Sequence, residues 1–360
     1  MKIFFSEKLL DWYSANKRSL PWRGQSNPYW IWVSEIMAQQ TRLETVIPYF
    51  NRWIKKFPTI GKLAKATDQE VLNLWEGLGY YSRGRNLHKA AQIVDSEYNS
   101  KLPSEIKNLK SLPGIGPYTA GAIASMAFGQ DEPVVDGNVK RVLSRIFNVS
   151  EEVNTPTGEK LIWEIARGNL PTGRAADYNQ ALMDLGATIC LPRNPGCVEC
   201  PLAKLCEANR LNLQGELPRK KKRPRSPHYM VTAAVMQRDG KHLIAQRPPG
   251  GLLAGLWEFP GGKQEEGESL EQSLIREIKE ELDVDIRVGD EIGVFKHAYT
   301  HFKVTLHAFN CKIIDREPIA VEASEINWVK LSELANYPMG KIDREISKTL
   351  LNVFESKNGT

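Results

Sequence analysis

The sequence predicts a multidomain protein: an all-α domain that ends in a four-cysteine loop, followed by an α+β domain. Three observations lead to this fold class. From Phe4 to about Ala208 apolar residues recur at helical spacing, broken at Pro21, Pro28, Pro58, Pro103 and Pro113, with no sustained two-residue alternation. Strand-like alternation begins only at Tyr229. Between them lies a basic, proline-broken run, Arg219-Lys220-Lys221-Lys222-Arg223-Pro224-Arg225-Ser226-Pro227, which reads as a linker. A chain of 360 residues also exceeds what one core usually organises. The division is therefore residues 1–210, a linker at 211–228, and residues 229–360.

Composition sets the class. With 41% hydrophobic and 25% charged residues the chain is an ordinary globular protein, and its net charge of +5 mildly favours an anionic partner. Glu7 and Asp11 precede any long apolar core, so the opening lacks the form of a secretory signal, and no later apolar run is long enough to span a bilayer. A cytoplasmic protein, and a monomer, is expected.

Taken in order, Pro28 opens an apolar helical segment, Tyr29-Trp30-Ile31-Trp32-Val33-Ser34-Glu35-Ile36-Met37, in which Glu35 is the lone carboxylate. A desolvated carboxyl has a raised pKa and suits a general acid; the alternative is a solvent-facing Glu on an amphipathic helix. Gln39-Gln40-Thr41 interrupts that helix, and Thr41 with Glu44 matches a capping box opening the next, Leu43 to about Lys56. Amides at such a junction can replace base hydrogen bonds, although a polar loop is the plain alternative. Gly77-Leu78-Gly79-Tyr80-Tyr81-Ser82-Arg83-Gly84-Arg85 is a glycine-flexed turn with aromatics and cations, suited to a wedge and phosphate contacts, with Tyr81 also readable as core.

Leu112-Pro113-Gly114-Ile115-Gly116-Pro117-Tyr118-Thr119-Ala120 opens an alanine-rich helix. Its glycines, Gly114 and Gly116, allow backbone N–H groups to approach a phosphate. Asp136, 20 residues after Gly116, precedes another helix and is either a catalyst or an N-cap. Cys190, Cys197, Cys200 and Cys206 follow at spacings C-x6-C-x2-C-x5-C, whereas Cys311 stands apart. Such clustering suits a metal centre in a reducing compartment, and thiolate count alone leaves zinc and iron-sulfur both open.

In order, Glu35 within Ser34-Glu35-Ile36-Met37-Ala38-Gln39-Gln40-Thr41, the glycine hairpin, Asp136 and the four cysteines resemble the endonuclease III superfamily, and most closely its adenine-removing branch. The resemblance implies a helix-hairpin-helix DNA glycosylase domain with a base-flipping pocket, and a [4Fe-4S] cluster on Cys190, Cys197, Cys200 and Cys206. It makes Glu35 the acid that protonates adenine, and Asp136 the group facing the developing sugar cation. Tyr118 and Asn138 are then hydrogen-bonding partners around Asp136 and the attacking water. Gln40, Thr41, Tyr80, Gly114 and Gly116 become DNA contacts, and Arg18 and Arg23 flank the adenine. Bifunctional relatives carry a lysine where this chain has Tyr118, so hydrolysis without strand cleavage is expected. Ala38 stands where the family usually has leucine.

The second domain alternates over Met230–Met236, turns at Asp239-Gly240 and resumes over His242–Ala245. Gly262-x5-Glu268-x7-Arg276-Glu277-Ile278-x-Glu280-Glu281-x-Asp283-Val284 resembles the Nudix box, with Asp283 replacing a glycine. Glu277, Glu280 and Glu281 share a helix face and are candidates for Mg2+, while Asp283 is expected to disturb the turn that ends the helix. His297-Ala298-Tyr299-Thr300-His301 matches the loop with which the adenine-removing branch reads 8-oxoguanine, which implicates Tyr299, Thr300 and His301. The expected partner is duplex DNA carrying adenine opposite 8-oxoguanine. A second expectation is hydrolysis of oxidised nucleoside triphosphates by the C-terminal domain.

Overall fold

A computed structural model describes residues 2–25, 27–221 and 226–358. Residues 222–225 of the basic run, and with them the core of the expected linker, lie outside the described residues. The chain divides into two compact units, Met1–Lys65 with Asn86–Arg223, and Ala66–Arg85 with Pro224–Thr360. Residues 66–85, which helical periodicity assigns to the first domain, thus group with the C-terminal residues.

Among its described residues the first unit contains helices and no strand. Its helices are α1 (Lys2–Asn16), α2 (Pro28–Ala38), α3 (Leu43–Lys56) and α4 (Ile60–Ala64). The next, α5 (Asp68–Trp75), lies in the second unit, and α6 (Ser82–Glu97) runs across the boundary. The first unit continues with α7 (Ile106–Ser111), α8 (Pro117–Phe128), α9 (Gly137–Ile146), α10 (Pro156–Asn169), α11 (Ala175–Thr188) and α12 (Glu207–Arg210). Asn27 caps α2 by accepting from the Tyr29 N–H at 3.0 Å, and Pro28 occupies the first turn, where its missing N–H costs nothing. Helix α2 stops because Gln40 is left-handed, at φ +56°. That turn also undoes the expected capping box: Arg42, not Thr41, is the N-cap of α3, and the Thr41 hydroxyl donates back to the Gln39 carbonyl at 3.3 Å. Phe5 and Leu9 of α1, Val139, Val142 and Leu143 of α9, Ile162 of α10, and Leu182 and Leu185 of α11 share one buried core.

The hairpin glycines differ in what they require. Gly114 is left-handed at φ +78°, and a Cβ there would lie 2.9 Å from the Asn86 Cβ. Gly116 has an ordinary φ of −84°, and a Cβ added to it would meet nothing within 4 Å. Gly114→Ala is therefore expected to cost about 1–3 kcal/mol, read as a fall in the urea midpoint. Gly116→Ala is expected to leave stability within about 0.5 kcal/mol. Equal midpoints for the two variants would refute the distinction.

The second unit is built on a sheet. Its strands are β1 (His228–Arg238), β2 (Lys241–Gln246), β3 (Trp257–Glu258), β4 (Ile286–Ala298), β5 (Lys303–Ile313) and β6 (Glu325–Lys330), and its later helices are α13 (Leu270–Leu282) and α14 (Lys341–Asn358). The order is β3-β2-β1-β5-β4, with β6 also paired to β2. Strands β1 and β5 are parallel from His228↔Lys303 to Met236↔Cys311, and β4 pairs antiparallel to β5. Asp239 (φ +49°) and Gly240 (φ +71°) form the expected tight turn between β1 and β2. Alternation along β1 fills two layers. Ala233 and Val235 pack with Ile342 and Ile346 of α14, and Ala234 and Met236 with Leu274, Ile278 and Leu282 of α13.

Helix α13 begins with a capping box, Ser269 with Gln272, and ends without the expected disturbance. Asp283 adopts φ +50° and closes the helix through its N–H to the Lys279 carbonyl at 3.1 Å. Asp is one of the residues that tolerate this conformation, and Lys279 and Arg316 neutralise its carboxylate at 3.5 and 3.1 Å.

Candidate active site and metal centre

Helix α2 carries Glu35 on its buried side, only 7% exposed, among Ile31, Val33 and Ile36. The Tyr118 hydroxyl, from the first turn of α8, donates to Glu35 Oε2 at 2.5 Å. Burial raises the Glu35 carboxyl to about 7, with the Asp136 charge adding to the rise, while Tyr118 and Arg23 pull the other way. Near neutrality Glu35 is thus divided between its protonated and ionised forms. The position of Tyr118 differs from expectation, since its hydroxyl bonds to Glu35 and, at 3.5 Å, to the Met183 sulfur.

Asp136 is both N-cap and site group. Its Oδ1 accepts from the Val139 N–H at 2.7 Å, and its Oδ2 from Asn138 Nδ2 at 2.9 Å. Burial raises its pKa, opposed by these bonds. The approach to Asp136 is held by Asn179 of α11, whose Oδ1 accepts from the Val134 N–H at 3.1 Å. Glu35, Tyr118, Asp136, Asn138, Thr41, Arg18 and Arg23 all line one pocket of about 780 Å³. Two carboxyls, one raised to about 7 by burial and one hydrogen-bonded as an acceptor, then face a cavity large enough for a nucleobase.

Asp184 is a site residue that the sequence did not single out. Its side chain is fully buried and accepts from Arg18 Nε at 2.7 Å and from Arg23 Nη1 and Nη2 at 2.6 and 2.7 Å, so both arginines are held at the pocket wall by one carboxylate. Burial alone would raise its pKa, but the bonds from Arg23 and Arg18 outweigh that and hold it low. The signal that could have found it is the one that marks Glu35: a lone carboxylate among Ala181-Leu182-Met183 and Leu185-Gly186-Ala187. Gln40 and the hairpin glycines do not line the pocket.

Cys190, Cys197, Cys200 and Cys206 surround one small cavity with Leu202, Ile189 and Arg145. Among the described residues no group of three or more His, Cys, Asp or Glu side chains is close enough to hold a single metal ion. The surroundings nonetheless suit a thiolate-bound group. Buried Arg145 donates from Nη1 to Cys190 Sγ at 3.3 Å and to the Leu191 carbonyl at 2.7 Å. Backbone N–H groups of Leu202 and of Asn209 and Ala208 lower the Cys200 and Cys206 thiols against a larger upward effect of burial. Arg141, one turn before Arg145, joins this loop to the pocket: it donates to the Cys190 carbonyl at 2.7 Å and to Asn138 Oδ1 at 2.8 Å.

In the second unit, Tyr80 and Thr300 meet, their hydroxyls 2.7 Å apart. Tyr299 stacks edge-on to His297 at 4.6 Å and against Phe302 at 4.9 Å, and Thr300 and His301 are exposed. Tyr81 is core, the second of its two expected roles. The Mg2+ expectation finds no support: Arg276 is the counter-ion of the acidic face, pairing with Glu268 at 2.6 Å, Glu277 at 2.9 Å and Glu280 at 3.1 Å. Glu281 turns inward to accept from the Gly261 N–H at 3.1 Å, and burial, with Glu258 nearby, raises it to about 8.

Residues 33–167 match the family described as HhH-GPD superfamily base excision DNA repair protein, and residues 231–349 match the NUDIX domain family. The chain is 35% identical to the adenine DNA glycosylase of Rattus norvegicus over 92% of its own length and 75% of that protein. The chain belongs to the adenine DNA glycosylase family. With the glycosylase of that name from Buchnera aphidicola subsp. Acyrthosiphon pisum the match is 33% over 98% of both chains. A thermostable thymine-DNA glycosylase superposes with a TM-score of 0.55 at 31% identity, covering 58% of this chain and 97% of that one. A DNA-bound endonuclease III superposes at 0.51 and 22% identity over 59% of this chain and 99% of its own, a likeness of fold. The helix-hairpin-helix and Nudix expectations thus agree with the family matches, and among the described residues no helix is long and apolar enough to cross a membrane.

Proposed function

We propose that this chain is a monofunctional N-glycosylase that removes adenine lying opposite 8-oxoguanine in duplex DNA. The observation that carries the reading is the pairing in one pocket of Asp136 with Glu35, whose buried carboxyl keeps a proton up to about pH 7. Glu35 protonates the flipped adenine, so the C1′–N9 bond breaks with a neutral base as leaving group. The sugar is left as an oxocarbenium ion. Asp136, fixed by Val139 and Asn138, stabilises that cation while water adds to C1′ and yields an abasic site. Tyr118 keeps the Glu35 carboxyl oriented and offers no amine for a Schiff base, so the strand stays intact. Arg18 and Arg23, locked on Asp184, shape the wall around the base. In the C-terminal residues, Tyr299, Thr300 and His301 read the opposite base, with Tyr80 beside Thr300 as the DNA-facing aromatic.

Cys190, Cys197, Cys200 and Cys206 would hold a [4Fe-4S] cluster, with Arg145 and the backbone N–H groups compensating the thiolate charge. When bound, such a cluster supplies a covalent brace for the loop and a redox-active centre. Purified protein is expected to contain iron and sulfide and to absorb in the visible, and Cys200→Ser to lose both; zinc without iron would overturn the assignment. Residues 210 and 228 remain the proposed boundaries between glycosylase, linker and lesion-reading parts. The acid-pair reading is tested by single-turnover reaction on a duplex with one adenine opposite 8-oxoguanine, then alkali. Abasic product is expected. Its absence refutes the function, and scission before alkali refutes the monofunctional reading.

A further inference from the structure

The turn that presents Tyr80 is held in an uncommon conformation by residues far away in sequence. Gly77, Gly79 and Tyr80 are all left-handed, at φ +94°, +71° and +48°. For tyrosine this persists only where the surroundings over-determine it. Part of the restraint is local: Trp75 Nε1 and Arg83 Nη2 each donate to the Gly79 carbonyl at 3.1 Å, and the Arg83 guanidinium lies 5.4 Å from the Trp75 ring and 5.3 Å from the Tyr80 ring. Further restraint comes from α14 and the residues just before it. The Tyr81 hydroxyl donates to the Met339 carbonyl at 3.1 Å, and the Met339 N–H donates to Glu76 Oε2 at 3.1 Å. Arg344 grips the same carboxylate with two bonds, Nε to Oε1 at 2.6 Å and Nη2 to Oε2 at 2.9 Å. Arg344 is itself fixed by the Leu334 and Tyr337 carbonyls at 2.9 and 2.6 Å.

The two ends of the turn, Glu76 and Tyr81, are thus tied to one short stretch beside α14. Both side chains of the ion pair are mostly shielded, at 21% and 18% exposure, so salt screens it little. Tyr80 is 42% exposed, and its hydroxyl reaches outward to Thr300. We propose that Glu76 and Arg344 are positioning residues: their bidentate pair sets the Tyr80 turn so that Tyr80 and Thr300 meet the opposite base as one preformed reader, and discrimination of 8-oxoguanine from guanine depends on it. The inference rests on the assignment of Tyr80 and Thr300 as DNA-facing groups. The physical ground is preorganisation. A free turn would have to be ordered on binding, and that cost falls on the contacts that need close placement, not on phosphate contacts common to both duplexes.

The test uses the full chain with Glu76→Gln and Arg344→Met. Affinity is measured for duplexes holding a non-cleavable adenine analogue opposite 8-oxoguanine or guanine, and adenine release at saturating enzyme is measured separately. The single variants are expected to lose roughly tenfold in the ratio of the two affinities while release at saturation stays within about twofold. An unchanged ratio in both single variants overturns the clamp, as does an equal loss on both duplexes. If wild type itself fails to prefer 8-oxoguanine, the underlying assignment falls, and the clamp with it.

Discussion

Glu35→Gln lowers adenine release by roughly two to four orders of magnitude, the contribution expected of a positioned general acid, and raises stability at alkaline pH. Both effects follow from one property. Burial lifts the Glu35 carboxyl from the ordinary 4.5 to about 7. The working form is protonated, so release should fall as pH rises through about 7, by tenfold per unit beyond it. For stability the sign runs the same way. Below the unfolded value of 4.5 both states hold the proton, and between 4.5 and about 7 only the unfolded state gives it up. Stability is therefore lost as pH rises across that window, by at most about 3 kcal/mol. Glutamine carries no such penalty. Denaturant unfolding at pH 5 and pH 8 should show the variant gaining on wild type with pH; a pH-independent difference would refute the raised pKa.

Asp184→Asn is expected to destabilise the helical unit by about 3–5 kcal/mol, because it leaves two mostly shielded guanidinium groups facing a neutral amide. That is a large share of the total stability of an ordinary domain. The pocket wall formed by Arg18 and Arg23 should loosen with it, so adenine release falls in the folded fraction too. The carboxyl is held below its ordinary 3.8, so its contribution is present above that value and lost as pH falls through the lower folded one. A urea midpoint shifted by the equivalent of less than about 1 kcal/mol would show that the arginines are held by other groups.

Glu35 and Asp184 show how far the sequence reaches. Each is a carboxylate flanked on both sides by apolar residues of a helix, and the same local signal marks both, yet only Glu35 sits in a motif. The capping box at Thr41 fails because the left-handed turn at Gln40 is a backbone choice that outranks a local side-chain pattern. Tyr118 is placed by its motif near the acid pair, but its partner is Glu35, 83 residues away. The acidic Nudix face has the pattern of a cation site in sequence, whereas in the fold Arg276 sits among its carboxylates.

By itself the sequence determined what depends on neighbours along the chain: helical against two-residue periodicity, the helix opened by Pro28, the Asp239-Gly240 turn, the glycine hairpin and the cysteine spacing. These are short-range, because backbone sterics and capping bonds act within a few residues. Only the tertiary structure decided which charges share a buried space. Arg18 and Arg23 are joined to Asp184 across 166 and 161 residues, Glu76 to Arg344 across 268, and Tyr118 to Glu35 across 83. Burial is what makes such groups interact strongly, and burial is a property of packing that no stretch of sequence carries alone.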